Sequence, residues 1–389
     1  NAEYMGDGSV HISMTTLTSL SPQHPKTRTI LTSNTILSQH SKQISRMSAS
    51  SPSRTQDLSV SLQEWQRWGP ISPLPSKVIE IIKKLECLSL EDDSLMQFGG
   101  MGGKLQGKLK AHEDKKHRAT YEALGDSEEK LEFFSARQIA CRLVGSRGYL
   151  CQKCWLPQEE DCMCSKIRQI PLFGKIRFWL YMHPKDFLRQ NNTGKLLWQV
   201  FGVHSATLCI FGISEMEEIM WNSIKISGKD KVWCLYPQKN LEHAAVENAL
   251  SISLDPSRNT EQWRNENGNI NFIFLDGTWS NSAAMLRRLK EKSKFIWGEE
   301  HLPCISLSTG ASSMHKLRPQ PSLDRTCTAA AAVALLSELE MRNNFSDVGL
   351  EEQGEAVREA LAVLLEALTR RRVRMGRSIT RKMSCVVNV

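Results

Sequence analysis

Five short apolar runs, each followed by a longer stretch of a different periodicity, constrain this chain more than anything else in it. They occupy residues 175–182, 207–211, 231–237, 270–275 and 303–307, and are rich in β-branched and aromatic side chains. Runs of that length and makeup read as buried strands. Between and after them, apolar residues recur at helical spacing: Phe187, Leu188, Leu196, Leu197 and Val200 after the first, 280–290 after the fourth, and 326–340 at the end. Strands alternating with helices predict an α/β fold with a parallel sheet covered by helices on both faces. No G-x-G-x-x-G follows the first strand, which argues against a dinucleotide site of the Rossmann kind.

The fourth strand runs directly into Asp276-Gly277-Thr278-Trp279 and then into Ser280-Asn281-Ser282, which opens a helix. Open α/β sheets bind their ligands at the carboxyl ends of the strands, so an acid there is a candidate catalyst. The plain alternative is a helix cap. His183-Pro184 ends the first strand and Tyr236-Pro237 the third, while Arg318 follows the fifth. A histidine at a strand end is most often packing, an arginine in a loop a surface ion pair, and a tryptophan such as Trp279 core. In a parallel sheet, however, these positions converge in one crevice.

Cysteine spacing supplies the second strong signal. Cys151-x2-Cys154-x7-Cys162-x-Cys164 sets four of the eleven cysteines within 14 residues. Two close pairs across a short loop place four sulfurs around one tetrahedral ion, which suits structural Zn²⁺ and leaves no open coordination position for catalysis. Disulfides would need an oxidising compartment, and the remaining cysteines are scattered. Redox-active or unligated thiols are the other reading.

Taken in order, these elements resemble the DTW-domain family of tRNA-uridine aminocarboxypropyltransferases, in its eukaryotic form. The Cys cluster encloses Trp155-Leu156-Pro157, as in the family. His183, Pro184, Asp186, Arg189, Asn192 and Thr193 match an H-P-x-E-x-x-R-x-x-N-T pattern with Asp for Glu. Tyr236-Pro237, the Asp276 signature, Arg318-Pro319-Gln320-Pro321 and Cys327-Thr328 follow in the family's order. One departure is Ala330, where family members often carry Glu. The resemblance covers roughly residues 145–340. It implies a SPOUT-like parallel sheet with a C-terminal knot, preceded by a small four-cysteine zinc-binding element. It implies S-adenosylmethionine as donor of a 3-amino-3-carboxypropyl group to the imide nitrogen of a tRNA uridine. Asp276, Thr278 and Trp279 would form the reaction centre, with Asp276 as the base. Tyr236, Pro237, Leu307, Arg318 and Thr328 would bind the donor, Arg318 holding either its carboxylate or an RNA phosphate. His183 and Arg189 would face RNA. The alternatives are a SPOUT-type RNA methyltransferase and a non-enzymatic zinc-ribbon RNA-binding protein in which Asp276 is a cap.

The flanks carry less information. Residues 1–60 are Ser- and Thr-rich with only Glu3, Asp7 and Asp57 as acids. They read as disordered, as a transit peptide, or as a non-native leader ahead of a start at Met47. Residues 61–139 read as a helical extension, with an apolar face through Val78, Ile79, Ile81, Ile82 and Leu85 and a charged helix over 111–138. The glycine-rich 99–108 stretch lacks a phosphate loop's G-K-[ST] ending and reads as a linker. The expected boundaries are a four-cysteine element over 140–170, a catalytic domain over 171–345 and a C-terminal helix with a basic tail over 346–389. Within that last segment, apolar spacing predicts a helix over 355–369, beyond which Arg370, Arg371, Arg372, Arg374 and Arg377 extend. A run of arginines is either a solvated tail or a track for an RNA backbone, in keeping with a net charge of +8. No apolar run approaches the roughly 20 residues that cross a bilayer. Nothing points to a protein partner. The expected compartment is cytoplasm or nucleus, or an organelle if the Ser-rich start is a transit peptide.

Overall fold

The computed structural model describes residues 71, 73–91, 98–99, 104–105, 107–146, 150–237, 246, 268–298, 302–307, 326–342, 345 and 347–378. The 1–60 leader, most of the glycine-rich stretch, the segment around Arg318 and the last eleven residues lie outside them. Helix α1 (Ser76–Glu91) precedes a two-strand antiparallel pair, β1 (Phe98–Gly99) and β2 (Lys104–Leu105), so the flanks of the expected linker pair with each other. Two helices follow, α2 (Gly107–Ala123) and α3 (Ser127–Gly145), where one was expected. The break has a local cause. Asp126 accepts from the backbone N–H groups of Glu128 and Glu129 at 3.0 and 3.1 Å, capping α3 just after Gly125.

The sheet comprises β3 (Ile176–Met182), β4 (Ala206–Ile210), β5 (Val232–Leu235), β6 (Ile270–Asp276) and β7 (Cys304–Ile305). Its order is β4-β3-β6-β5-β7 and every pairing is parallel. Helices α4 (Lys195–Phe201), α5 (Ser214–Ser227), α6 (Trp279–Trp297), α7 (Thr328–Glu340) and α8 (Leu350–Arg374) cover it. Because side chains alternate along a strand, β3 feeds two cores. Phe178, Leu180 and Met182 join α4, α7 and α8 on one face, whereas Trp179 and Tyr181 join α5 and α6 on the other. Helices α1 and α3 belong to the first of these cores, through Val78, Ile82, Phe133 and Ile139. The folded body therefore begins well before residue 140, the expected boundary.

Two helical expectations are corrected. After His183-Pro184 the chain makes successive turns instead of a helix, with Leu188 at φ 56°, and turns helical only at Lys195. Helix α8 starts before and ends after the expected span, continuing through Arg374. The arginines at 370–374 are thus helical, and Arg371 is buried.

A candidate active site where β3 and β6 meet

Adjacent strands β3 and β6 send their chains to opposite faces. The loop after β3 leads to α4 on one side, and the turn after β6 leads to α6 on the other. A divergence of that kind opens a crevice at the carboxyl ends of the two strands. Met182 lies in register with Asp276, and the His183 N–H donates to the Asp276 carbonyl at 2.9 Å. The candidate acid and histidine are thus neighbours by sheet pairing.

Asp276 is buried, with 6% of its surface exposed. Its Oδ2 accepts from Asn192 Nδ2 at 2.9 Å, while Asn192 Oδ1 accepts from the Lys195 N–H at 3.0 Å. One asparagine therefore ties the start of α4 to the acid. The approach is close: a Cβ on Gly194 would sit 2.0 Å from Asp276 Oδ2, so only glycine fits there. The N-cap position of α6 is not Asp276's. That position belongs to Thr278, whose hydroxyl shares a 2.9 Å hydrogen bond with Ser280 Oγ and makes no cap bond.

His183 is buried and stacked on Phe211, ring centroids 5.8 Å apart. Its Nδ1 accepts from the Lys185 N–H at 3.2 Å, and burial lowers its pKa to about 4. Asp186, also buried, takes Arg189 Nη1 on Oδ1 at 2.6 Å. From α3, Arg142 donates to the carbonyls of Lys185 and Phe187 at 2.6 and 2.9 Å and so pins this loop from below. On the β5 side, Tyr236 and the half-buried Trp279 approach to 6.2 Å between ring centroids. The Ala329 N–H donates to Thr193 Oγ1 at 3.4 Å, which brings the turn beside Thr328 to the same loop. Pro237 and Leu307 follow β5 and β7 and are half-buried. Arg318 lies outside the described residues.

The structure adds a group that the sequence reading passed over. Lys195 is fully buried, its Nζ donating to the Gln190 carbonyl at 2.6 Å and lying 5.9 Å from the Trp155 ring centre. Burial lowers its pKa to about 7, a shift opposed by the neighbouring thiol cluster and by Asp276. A lysine opening an apolar helix reads as a solvated first-turn cation. Only the asparagine and glycine just before it hinted at a special helix start.

Nearby, the Sγ atoms of Cys151, Cys154, Cys162 and Cys164 lie within 4.8 Å of one another. Two edges of the cluster measure 3.6 and 3.9 Å. A tetrahedron of thiolates about 2.3 Å from a central ion has edges of about 3.8 Å, so the cluster could hold a metal ion. Within the cluster, Cys151 and Cys154 are driven toward opposite charge states. Hydrogen bonds from Cys154 and Cys164 draw Cys151 far down, and that same contact holds Cys154 up at about 11. A cation in their midst would remove the conflict. Trp155, inside the cluster's first loop, has φ 59°, a strained value for so large a residue. Its ring holds it there, packed 5.3 Å from both Phe187 and Trp198. The cluster therefore buttresses the loop that carries Asp186 and Asn192.

The arginines expected to trail from the C-terminus fold back on this assembly. Arg371 Nη1 donates to Gln190 Oε1 at 2.5 Å, and Arg374 reaches Asp161 at 2.7 and 3.1 Å and Glu160 at 2.7 Å. Continuation of the helix through 374 turns both toward the protein. Arg370 is exposed and 3.6 Å from Glu366, and Arg372 is half-buried.

Comparison with known families gives a match to the DTW domain over residues 148–373. The matched span takes in the Cys cluster, the whole parallel sheet and nearly all of α8. No solved structure matches the chain.

Proposed function

The chain belongs to the DTW-domain family, and on that premise we propose that it modifies tRNA, transferring the 3-amino-3-carboxypropyl group of S-adenosylmethionine to a uridine imide nitrogen. The observation that carries this reading is the buried Asp276, oriented by Asn192 at the crevice between β3 and β6. A uridine imide is a weak acid, and a fixed carboxylate can take its proton. The nitrogen then bonds to the carbon of the aminocarboxypropyl chain that is attached to sulfur. The carbon–sulfur bond breaks, its electron pair goes to sulfur, and neutral methylthioadenosine leaves. The sulfonium activates all three of its carbons, so the group presented to the nucleophile decides between this transfer and methylation. Thr278 and Trp279 border the reacting centre, and Tyr236, Pro237, Leu307, Arg318 and Thr328 the donor. His183, Arg189, Arg370 and Arg372 of α8, and Arg377 just beyond it, meet the RNA.

Four sulfurs at tetrahedral spacing suit zinc in a structural role, since Cys151, Cys154, Cys162 and Cys164 leave no position open. A SPOUT-like knot accords with the sheet order, because β6 returns between β3 and β5 before the chain crosses to β7. The test is mass spectrometry of nucleosides from unmodified tRNA incubated with the protein and S-adenosylmethionine. An added aminocarboxypropyl mass on uridine supports the proposal. A methyl mass identifies a methyltransferase instead, and unchanged nucleosides with no donor binding identify an RNA-binding protein.

A further inference from the structure

Asp186 is the residue of the crevice with bonding capacity to spare. The residue is 3% exposed and its backbone is fixed on both sides, the N–H donating to the His183 carbonyl and the carbonyl accepting from the Arg189 N–H. Oδ1 is committed to Arg189 at 2.6 Å. Oδ2 is enclosed and has no hydrogen-bond partner among the described residues. It lies 3.8 Å from where a Cβ on Gly277 would stand, which sets it against the glycine of the Asp-Gly-Thr-Trp signature, next in the chain to Asp276. Buried polar atoms without a partner are rare, and one beside a candidate ligand crevice points to a group that the ligand supplies.

The chemistry of that group follows from the surroundings. Arg189 contacts the carboxylate, and Arg142 bonds the carbonyls of Lys185 and Phe187 on either side of Asp186. An ionised carboxylate has only acceptor sites, and its strongest partners are cationic N–H donors. We propose that Asp186 Oδ2 receives the α-ammonium of the donor's amino-acid end, and so fixes which carbon of the sulfonium faces the nucleophile. The inference rests on S-adenosylmethionine being the donor, as proposed above.

The test is calorimetric titration with two ligands: S-adenosylmethionine, and the analogue carrying hydrogen in place of its α-amino group. Wild-type protein should bind the analogue roughly 10- to 100-fold more weakly, the factor expected for one charge-assisted hydrogen bond. Asp186→Asn should lose the same factor for S-adenosylmethionine and nothing for the analogue. Asp186→Glu, which keeps the charge, should restore most of the difference. Equal binding of both ligands by the wild type would overturn the assignment without recourse to any variant, as would an Asp186→Asn loss shared by both ligands. If the wild type binds neither, the donor itself is wrong and the proposed function fails with it.

Discussion

Two buried polar networks flank β3, and they differ in whether their bonds are closed. On the α5/α6 face, Arg288 donates to Glu217 at 2.7–2.9 Å and to Glu128 at 2.6 Å. The Tyr181 hydroxyl and the Gly212 N–H complete Glu217 at 2.6 and 2.9 Å. Among the described residues, no buried side-chain atom of this group lacks a partner. Burial and the Glu217 charge keep the Tyr181 hydroxyl protonated well above its ordinary range. Across the strand ends, Asp186 Oδ2 has no partner among the described residues, and Lys195 is desolvated beside a cluster of thiols. A closed network can only hold structure together. An open one keeps bonding capacity for a ligand, at a cost in stability met elsewhere.

Replacing one residue in each network should separate these roles. Asp276→Asn keeps the shape and an acceptor for Asn192. It should lower turnover by about 10²- to 10⁴-fold, the usual contribution of a positioned base, with little change in melting temperature. Arg288→Met should do the reverse, destabilising the protein by about 3–5 kcal/mol because Glu217 is left charged and buried, while turnover of the folded fraction stays near normal. Denaturant unfolding and steady-state kinetics on both variants would decide. If Arg288→Met proved catalytically dead but stable, the division between the networks would be wrong.

What the sequence disclosed about these networks depended on how locally each was encoded. The strand 270–275 and its terminal acid were legible because period and position lie within ten residues, and the Cys set because its spacing fits inside one loop. Asn192 stood in a recognised motif, yet its partner is 84 residues away, and nothing local says that it holds Asp276. Tyr181 and Arg288 read as ordinary strand and helix residues until Glu217 brings them together. The helix expected after Pro184 failed because Phe187 and Leu188 are apolar for a different reason: Phe187 packs on Trp155, and Leu188 turns the chain at positive φ. The glycines carried information only where a neighbour demanded it, as Asp276 does of Gly194.

Acid should act on the open side sooner than on the closed one. His183 has a folded pKa of about 4, below the ordinary value near 6.5, so between those limits the unfolded chain binds the extra proton. Stability therefore falls as pH drops from about 6.5 to about 4, by up to roughly 1.4 kcal/mol per pH unit for each such group. His117 on α2, also lowered to about 4 by burial, contributes in the same window. His183→Asn should remove one proton from the slope and His117→Asn the other, as read from denaturant unfolding across this range. A slope unchanged by His183→Asn would mean that the histidine is not buried neutral, and the open network would lose one of its members.

The arginines of α8 provide the smallest effect and the finest distinction. Arg374 pairs with Asp161 and Glu160 but is 42% exposed, so solvent screens the pair, and Arg374→Ala should cost only about 0–1 kcal/mol. It is turned toward the protein, and its loss should leave the salt dependence of tRNA binding unaltered. Arg370 and Arg377 are exposed. If they contact phosphates as proposed, each replacement by alanine should flatten the slope of log affinity against log salt by about 0.7–0.9. Donor affinity should stay constant throughout, since neither residue is among those proposed to border the donor. An Arg374→Ala variant with a flattened slope, beside Arg370→Ala and Arg377→Ala variants without one, would move the RNA footprint onto the Cys-cluster side of the helix. That result would make the loop holding Asp161 part of the RNA-binding surface rather than a clamp on the end of α8.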